Sequence, residues 1–270
     1  MEAIAGILAK GGANWTGSSA YDPIKLAKLK AKTINKTPGK LTGYECKSCL
    51  NRGYTAIASE SGEILIRSCK CQKTRESIRI LEKSGLSGMV RRCTFDRYQE
   101  NEPWQADAKR MAKNYADNPD GKWFVASGNA GSGKTHLCVA ICRELMLRGT
   151  ETRYTLWRDE ATRIKAVANC REEYDALINP LKEVPVLYID DFYKVGGGGK
   201  PTGPEISLAF EILNSRYNDA GKITVISTER SIGELLSIDE AVGSRIYERA
   251  KGNILELSGQ EKNWRMRSED

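Results

Sequence analysis

No apolar run in this 270-residue chain approaches the about 20 residues that a helix needs to cross a bilayer, so a membrane-spanning helix is excluded. The first ten residues carry Glu2 and no basic stretch ahead of a short apolar run, so no secretory signal is expected. The expected compartment is the cytoplasm. Eight cysteines are too few for a disulfide scaffold, and thiols there stay reduced. Histidine occurs once, at His136. It is read as a local group beside the phosphate loop described below, not as a general base.

Charge is unevenly spread. The chain carries +7 overall. Residues 1–92 hold 17 Lys/Arg against 7 Asp/Glu, and residues 93–270 hold 25 against 28. A basic excess confined to one end suits a module that meets nucleic acid or an acidic partner; the plain alternative is a solvated tail.

The organising motif is Gly128-Asn129-Ala130-Gly131-Ser132-Gly133-Lys134-Thr135, a G-x-x-x-x-G-K-T phosphate loop. An apolar, β-prone run precedes it from Lys122, and helical spacing follows from His136 to Arg148. Glycines let backbone N–H groups close on phosphate oxygens, and the helix N-terminus adds positive potential. Lys134 is expected to reach the β- and γ-phosphates of ATP, and Thr135 to ligate Mg²⁺. About 55 residues on, Val184–Ile189 reads as a buried strand ending in Asp190-Asp191. Asp190 would hold Mg²⁺ through water and Asp191 would orient or deprotonate the attacking water.

A second constellation is Cys46-x-x-Cys49 and Cys69-x-Cys71. Two close cysteine pairs around a hairpin (strands over 53–58 and 64–67) match a four-thiolate Zn²⁺ site, with unliganded thiols as the alternative. No thioredoxin-like βαβ pattern surrounds them, which disfavours a redox dithiol. Residues 1–40, rich in Gly and Lys, read as a flexible basic arm, with a short helix allowed from Pro23 to Ala31. Residues 41–92 read as the zinc-binding module and a connector helix, and 93–270 as the nucleotide-binding domain. Within that domain helices are expected over 104–115, 159–177 and 205–217, strands near 154–156 and over 222–227, and a glycine loop over 196–199. Phe95 and Tyr98 are candidates to touch an adenine, with core packing as the commoner role.

The order of these features resembles the DnaC/DnaI-type loaders of the bacterial replicative helicase, in the AAA+ class. The phosphate loop followed by His136-Leu137, the Asp190-Asp191 strand end, a strand running into a Leu-rich helix, Gly243-x-Arg245-x-x-x-Arg249 and a terminal Trp264-Arg265 carry the likeness. The resemblance implies an α/β fold: an AAA+ P-loop ATPase with a central parallel sheet and a short helical C-terminal part, preceded by the zinc module and the arm. It implies an Mg-dependent ATPase that binds ATP, single-stranded DNA and a hexameric replicative helicase, the last through the N-terminal region, and that self-associates. Arg249 matches the arginine that reaches a neighbour's γ-phosphate, Arg245 would support it, and Arg265 matches the second sensor. The first sensor, often Asn in that family, falls at Glu229. An ionised Glu donates no hydrogen bond to phosphate, so either Thr228 substitutes or the sensing is altered. Two further readings stay open: an IstB-type transposition helper sharing the ATPase core, and a non-hydrolysing DNA- or protein-binding adaptor.

Overall fold

The structure, a computed structural model, describes residues 22–81, 87–196, 199–259 and 262. Residues 1–21 of the expected arm, Gly197 and Gly198 of the expected glycine loop, Trp264 and Arg265 lie outside the described residues. Among the described residues no helix is long and apolar enough to cross a membrane.

The chain divides into two compact units. The smaller contains residues 22–40 and 47–69 of the described chain, and the larger contains 41–46 and the remainder from Lys70. In the smaller unit, helix α1 (Pro23–Lys36) starts where Asp22 accepts from the backbone N–H of Ile24 and Lys25, with Pro23 in the first turn. Its small buried residues, Ala27 and Ala31, let it lie close to a hairpin of β1 (Tyr54–Ala58) and β2 (Ile64–Ser68). An ordered helix thus stands inside the segment expected as an arm.

In the larger unit the order is α2 (Cys71–Leu81), α3 (Ser87–Arg92), a 3₁₀ turn at Phe95–Arg97, α4 (Pro103–Asp117), β3 (Phe124–Gly128), α5 (Lys134–Leu147), β4 (Thr152–Leu156), α6 (Trp157–Ala166), α7 (Arg171–Glu183), β5 (Val186–Asp190), α8 (Gly203–Tyr217), β6 (Ile223–Thr228), α9 (Ile232–Ile238), α10 (Glu240–Arg249) and β7 (Ile254–Leu257). The expected connector helix belongs to this unit. Thr74 Oγ1 donates to the Met146 carbonyl, and Ser77 Oγ accepts from Thr152 N at 3.1 Å, so the expected boundary at residue 92 does not mark the end of packing. The single helix expected over 159–177 is two. Residues 167–170 separate α6 from α7, although no Gly or Pro marks the break.

The five strands from β3 to β7 form one parallel sheet in the order β4-β5-β6-β3-β7. Strands β3 and β5 are buried along their whole length, which their continuous apolar sequence anticipates. Successive residues feed opposite cores. Phe124 and Ala126 join α4 and α5 on one face; Trp123 and Val125 join α6, α7, α8 and α10 on the other. Helices on both faces make the sheet doubly wound and leave the carboxyl ends of its strands open for a ligand.

At the amino ends of the strands the polar groups are closed off. Arg216, fully buried, donates to the carbonyls of Leu181, Lys182, Val184, Pro185 and Ile223 and to Thr224 Oγ1. One guanidinium therefore fastens the end of α7 to the starts of β5 and β6. Burial pushes it down to about 9, which still leaves it charged at neutral pH.

Candidate nucleotide site

The phosphate loop sits between the carboxyl end of β3 and the start of α5. Gly128 has φ +127°, and a Cβ there would meet the Leu257 carbonyl oxygen at 2.2 Å, so only glycine lets β3 and β7 stay paired as the chain turns. Gly133, at φ +87°, caps α5 in a left-handed conformation. A Cβ there would press on the Tyr98 ring at 3.0 Å. The first N–H groups of α5 have no carbonyl one turn back, so they converge on the loop as an anion site. Lys134 is buried, and its Nζ donates to the carbonyls of Gly128 and Asn129 at 2.7 and 2.6 Å. Burial draws its ammonium below the ordinary value, against the pull of Glu229 and Asp191. Asn129 donates through its side chain to Gly259, and Ser132 Oγ donates to Asn129, so Asn129 to Ser132 are held by their own hydrogen bonds.

Asp190 closes β5 directly opposite. Thr135 Oγ1 donates to its Oδ1 at 3.2 Å. Tyr188 donates to Oδ1 at 2.8 Å, Tyr154 to Oδ2 at 3.2 Å, and Ser227 Oγ also donates to Oδ1. Three hydroxyls from β4, β5 and β6 thus fix the orientation of one carboxylate. Burial, reinforced by the charge of Asp190, pushes the phenols of Tyr154 and Tyr188 well above their ordinary values, so they remain donors. Sequence reasoning missed Tyr154, Tyr188 and Ser227. The signal available was alternation: Tyr188 lies two residues before Asp190, on the same face of β5.

Asp191 adopts φ +52° and Tyr193 φ +55°, a left-handed turn that aspartate tolerates better than tyrosine. The turn is held by packing. Phe192 and Tyr193 stack at 4.0 Å, and Trp157 meets them edge-on at 5.0 and 5.8 Å. Lys194 then bridges Asp191 at 3.2 Å and Glu229 at 2.9 Å. Burial pulls the Lys194 ammonium down, but hydrogen bonds and charge from Glu229 and Asp191 outweigh it and raise it. These three residues line a cleft of about 700 Å³ together with Arg158 and Arg230. Thr228, the other sensor candidate, is engaged elsewhere in this structure. It is fully buried, donates to the Phe192 carbonyl at 2.8 Å and accepts from Arg230 N at 3.0 Å.

A second, smaller cleft of about 160 Å³ lies beside the loop, between Gly131–Gly133 and the segment carrying Tyr98 and Trp104. His136 ties the two sides together: its Nε2 lies 2.9 Å from the Thr94 carbonyl, and its ring meets Tyr98 edge-on at 5.3 Å. Both aromatic candidates are buried in the core, and of the two only Tyr98 also lines this cleft.

The remaining expected site residues lie elsewhere. Arg249 stands at the amino ends of β3 and β6, away from the phosphate loop. Its guanidinium donates to the carbonyls of Tyr217, Gly121, Asp219, Ala220 and Lys222, and stacks over Trp123 at 5.5 Å. In this arrangement its guanidinium is bonded within its own chain, because α10 ends beside the turns that precede β3 and β6. Arg245 is held less completely. Nε donates to Asn214 and one terminal nitrogen to Ala241, while its plane covers Phe210 and Tyr217. The sulfurs of Cys46, Cys49, Cys69 and Cys71 lie within 4.8 Å of one another. Four sulfurs on one tetrahedral Zn²⁺ at about 2.3 Å would sit about 3.8 Å apart. Leu50 and Asn51 turn through positive φ just after Cys49, and Gly53 N donates to Cys49 Sγ at 3.3 Å. The residues fit a zinc ion.

The doubly wound sheet, the loop and the Thr135–Asp190 pair together define an AAA+ P-loop domain of the ATP-binding kind. The chain belongs to the bacterial DnaA ATPase-domain family, whose model matches residues 89–250. It is 30% identical over 226 residues to the phage-like element PBSX protein XkdC of Bacillus subtilis, covering 80% of this chain and 83% of that one. It is 25% identical over 223 residues to the replicative helicase loader DnaC of Escherichia coli strain K12, covering 80% and 88%. Its fold matches the crystal structure of the DnaC helicase loader with a TM-score of 0.54 at 25% identity, over 61% of this chain and 96% of that one.

Proposed function

We propose that the chain is an ATP-dependent loader of a replicative DNA helicase. The observation that carries this reading is the Thr135–Asp190 pair, 3.2 Å apart beside a complete phosphate loop, in a chain similar over most of its length to a named helicase loader. In this reading the N–H groups from Gly131 to Thr135 and the Lys134 ammonium hold the phosphates of ATP, and Tyr98 and His136 flank the base. Thr135 and Asp190 hold Mg²⁺, which neutralises charge on the phosphoryl oxygens when bound. Asp191 orients the attacking water once Lys194 shifts toward Glu229. Glu229 acts through Lys194 and not as a direct sensor.

Hydrolysis at a site completed by a neighbouring subunit also belongs to the proposal, with Arg245 and Arg249 as its arginines and Arg265 as a further contact. Arg249 would have to exchange its carbonyl partners for a phosphate, whereas Arg245 needs to give up only two. The cysteine cluster holds Zn²⁺ as a structural ion, the N-terminal region grips the hexameric helicase, and the ATPase domain meets single-stranded DNA in the cytoplasm. The test is co-purification of the full chain with a hexameric replicative helicase, with and without ATP, followed by transfer of the helicase to single-stranded DNA. Capture of a transposase in place of the helicase, or transfer indifferent to ATP, would sink the reading. Metal analysis of the purified chain should return about one equivalent of zinc, and its absence would remove the zinc claim.

A further inference from the structure

The two outer edges of the small hairpin are treated differently. Ser59 N bonds to Glu63 O and Cys69 N to Gly53 O, and in the register of the hairpin these fix which pairs face inward. Ala56 opposite Ile66 is a pair whose backbone groups face outward. On β1 this edge is closed: the Asn35 side chain donates to Ala56 O at 2.7 Å and accepts from Ala56 N at 2.9 Å, pairing both groups as a strand would. On β2 the matching N–H and C=O of Ile66, and those of Ile64 and Ser68, have no partner among the described residues.

The open edge is also apolar. Leu65 is 43% exposed and Ile66 57%. Elsewhere in the same unit, Leu29, Leu50 and Tyr54 are exposed too. An exposed, apolar edge strand invites pairing unless a proline, a bulge, charge or a cover protects it. Strand β2 has one charge, Arg67, and no proline.

We propose that the edge of β2 binds an extended segment of a partner protein, adding it as a third strand to the hairpin. The segment alternates apolar residues, which lie on the face of Ile66, with acidic ones, which lie on the face of Arg67. Charge selects this chemistry. The described residues of the unit carry nine Lys/Arg against three Asp/Glu, a net of +6. The same charge opposes pairing of two copies of β2 edge to edge. A nucleic acid fits less well, because the surface is mostly aliphatic and its distinctive feature is a ladder of peptide groups, not a stacking platform. The inference goes beyond the loader reading, since it holds whichever protein supplies the segment.

The test uses the full chain and a capped ten-residue peptide alternating Glu and Val. The expected result is binding that slows amide exchange at Ile64, Ile66 and Ser68. Ile66→Pro removes the outward donor at a position where an edge strand tolerates proline. It should weaken the peptide on the order of tenfold, as should Ile66→Asp, which removes the apolar contact and repels the acidic segment. Retained protection of the Ile57 and Leu65 amides, and unchanged nucleotide binding, show that each variant is folded. A copy of the peptide N-methylated at every second residue should bind only on the face that keeps its N–H groups outward. Equal affinity for Ile66→Pro and the parent, unchanged exchange at Ile66, or displacement of the peptide by a single-stranded oligonucleotide would overturn the proposal.

Discussion

The two ends of the parallel sheet hold charged side chains of opposite fate. At the amino ends, Arg216 and Arg249 have their nitrogens committed to backbone carbonyls of the same chain. At the carboxyl ends, Asp190 meets hydroxyls from neighbouring strands and α5, and Asp191 and Glu229 share Lys194 on the wall of an open cleft. The first arrangement satisfies carbonyls that turns and helix ends would otherwise leave bare. The second holds Asp191, Lys194 and Glu229 half-exposed on the wall of a cleft, where they can exchange partners for a ligand. Arginine in a P-loop protein is therefore not functional by type; what its nitrogens already touch decides.

That contrast can be broken at four points. Arg216→Ala should cost the most, about 3–5 kcal/mol of folding stability, because it strips a buried charge from five carbonyls. Urea unfolding measures it, and a loss below about 1 kcal/mol would mean that water replaces the guanidinium easily. Lys134→Ala should leave stability almost untouched and weaken ATP binding on the order of a hundredfold, or about 3 kcal/mol. Calorimetric titration reads this directly, and unchanged affinity would refute the loop's assignment. Arg249→Ala sharpens the comparison, since it separates two roles. A purely structural arginine should lower stability by about 2 kcal/mol and spare DNA-stimulated phosphate release per folded molecule. An arginine that reaches a neighbour's phosphate should do the reverse.

The smallest effect is expected at Ser227→Ala. It removes one of the three hydroxyls that orient Asp190, and should raise the Mg²⁺ concentration needed for half-maximal hydrolysis about fivefold, equivalent to about 1 kcal/mol. No change in that concentration would show that Tyr188 and Tyr154 suffice.

Much of the fold was legible because its signals are local. A strand buried on both faces writes a continuous apolar run, as at Val186–Ile189, and a phosphate loop writes its glycines in order. The break between α6 and α7 was not legible, because residues 167–170 carry no Gly or Pro. Nor was the membership of α2 and α3. Thr74 and Ser77 look like ordinary polar helix residues until their partners, Met146 and Thr152, are brought beside them. Part of the candidate site was legible for the same reason. Gly128 to Thr135, Asp190 and the four cysteines stand in short patterns, whereas Tyr154 and Ser227 join the site from neighbouring strands.

By itself the sequence determined the nucleotide loop, the paired aspartates and the cysteine spacing, since each is a chemical pattern within a few residues of chain. Only the tertiary structure decided what the other charged groups do. Whether an arginine grips its own backbone or remains open, whether Thr228 can reach a phosphate, and which edge of the hairpin is left unpaired all depend on groups from distant segments. Hydrogen bonds are satisfied by whatever lies within 3 Å in space, and sequence distance carries no record of that.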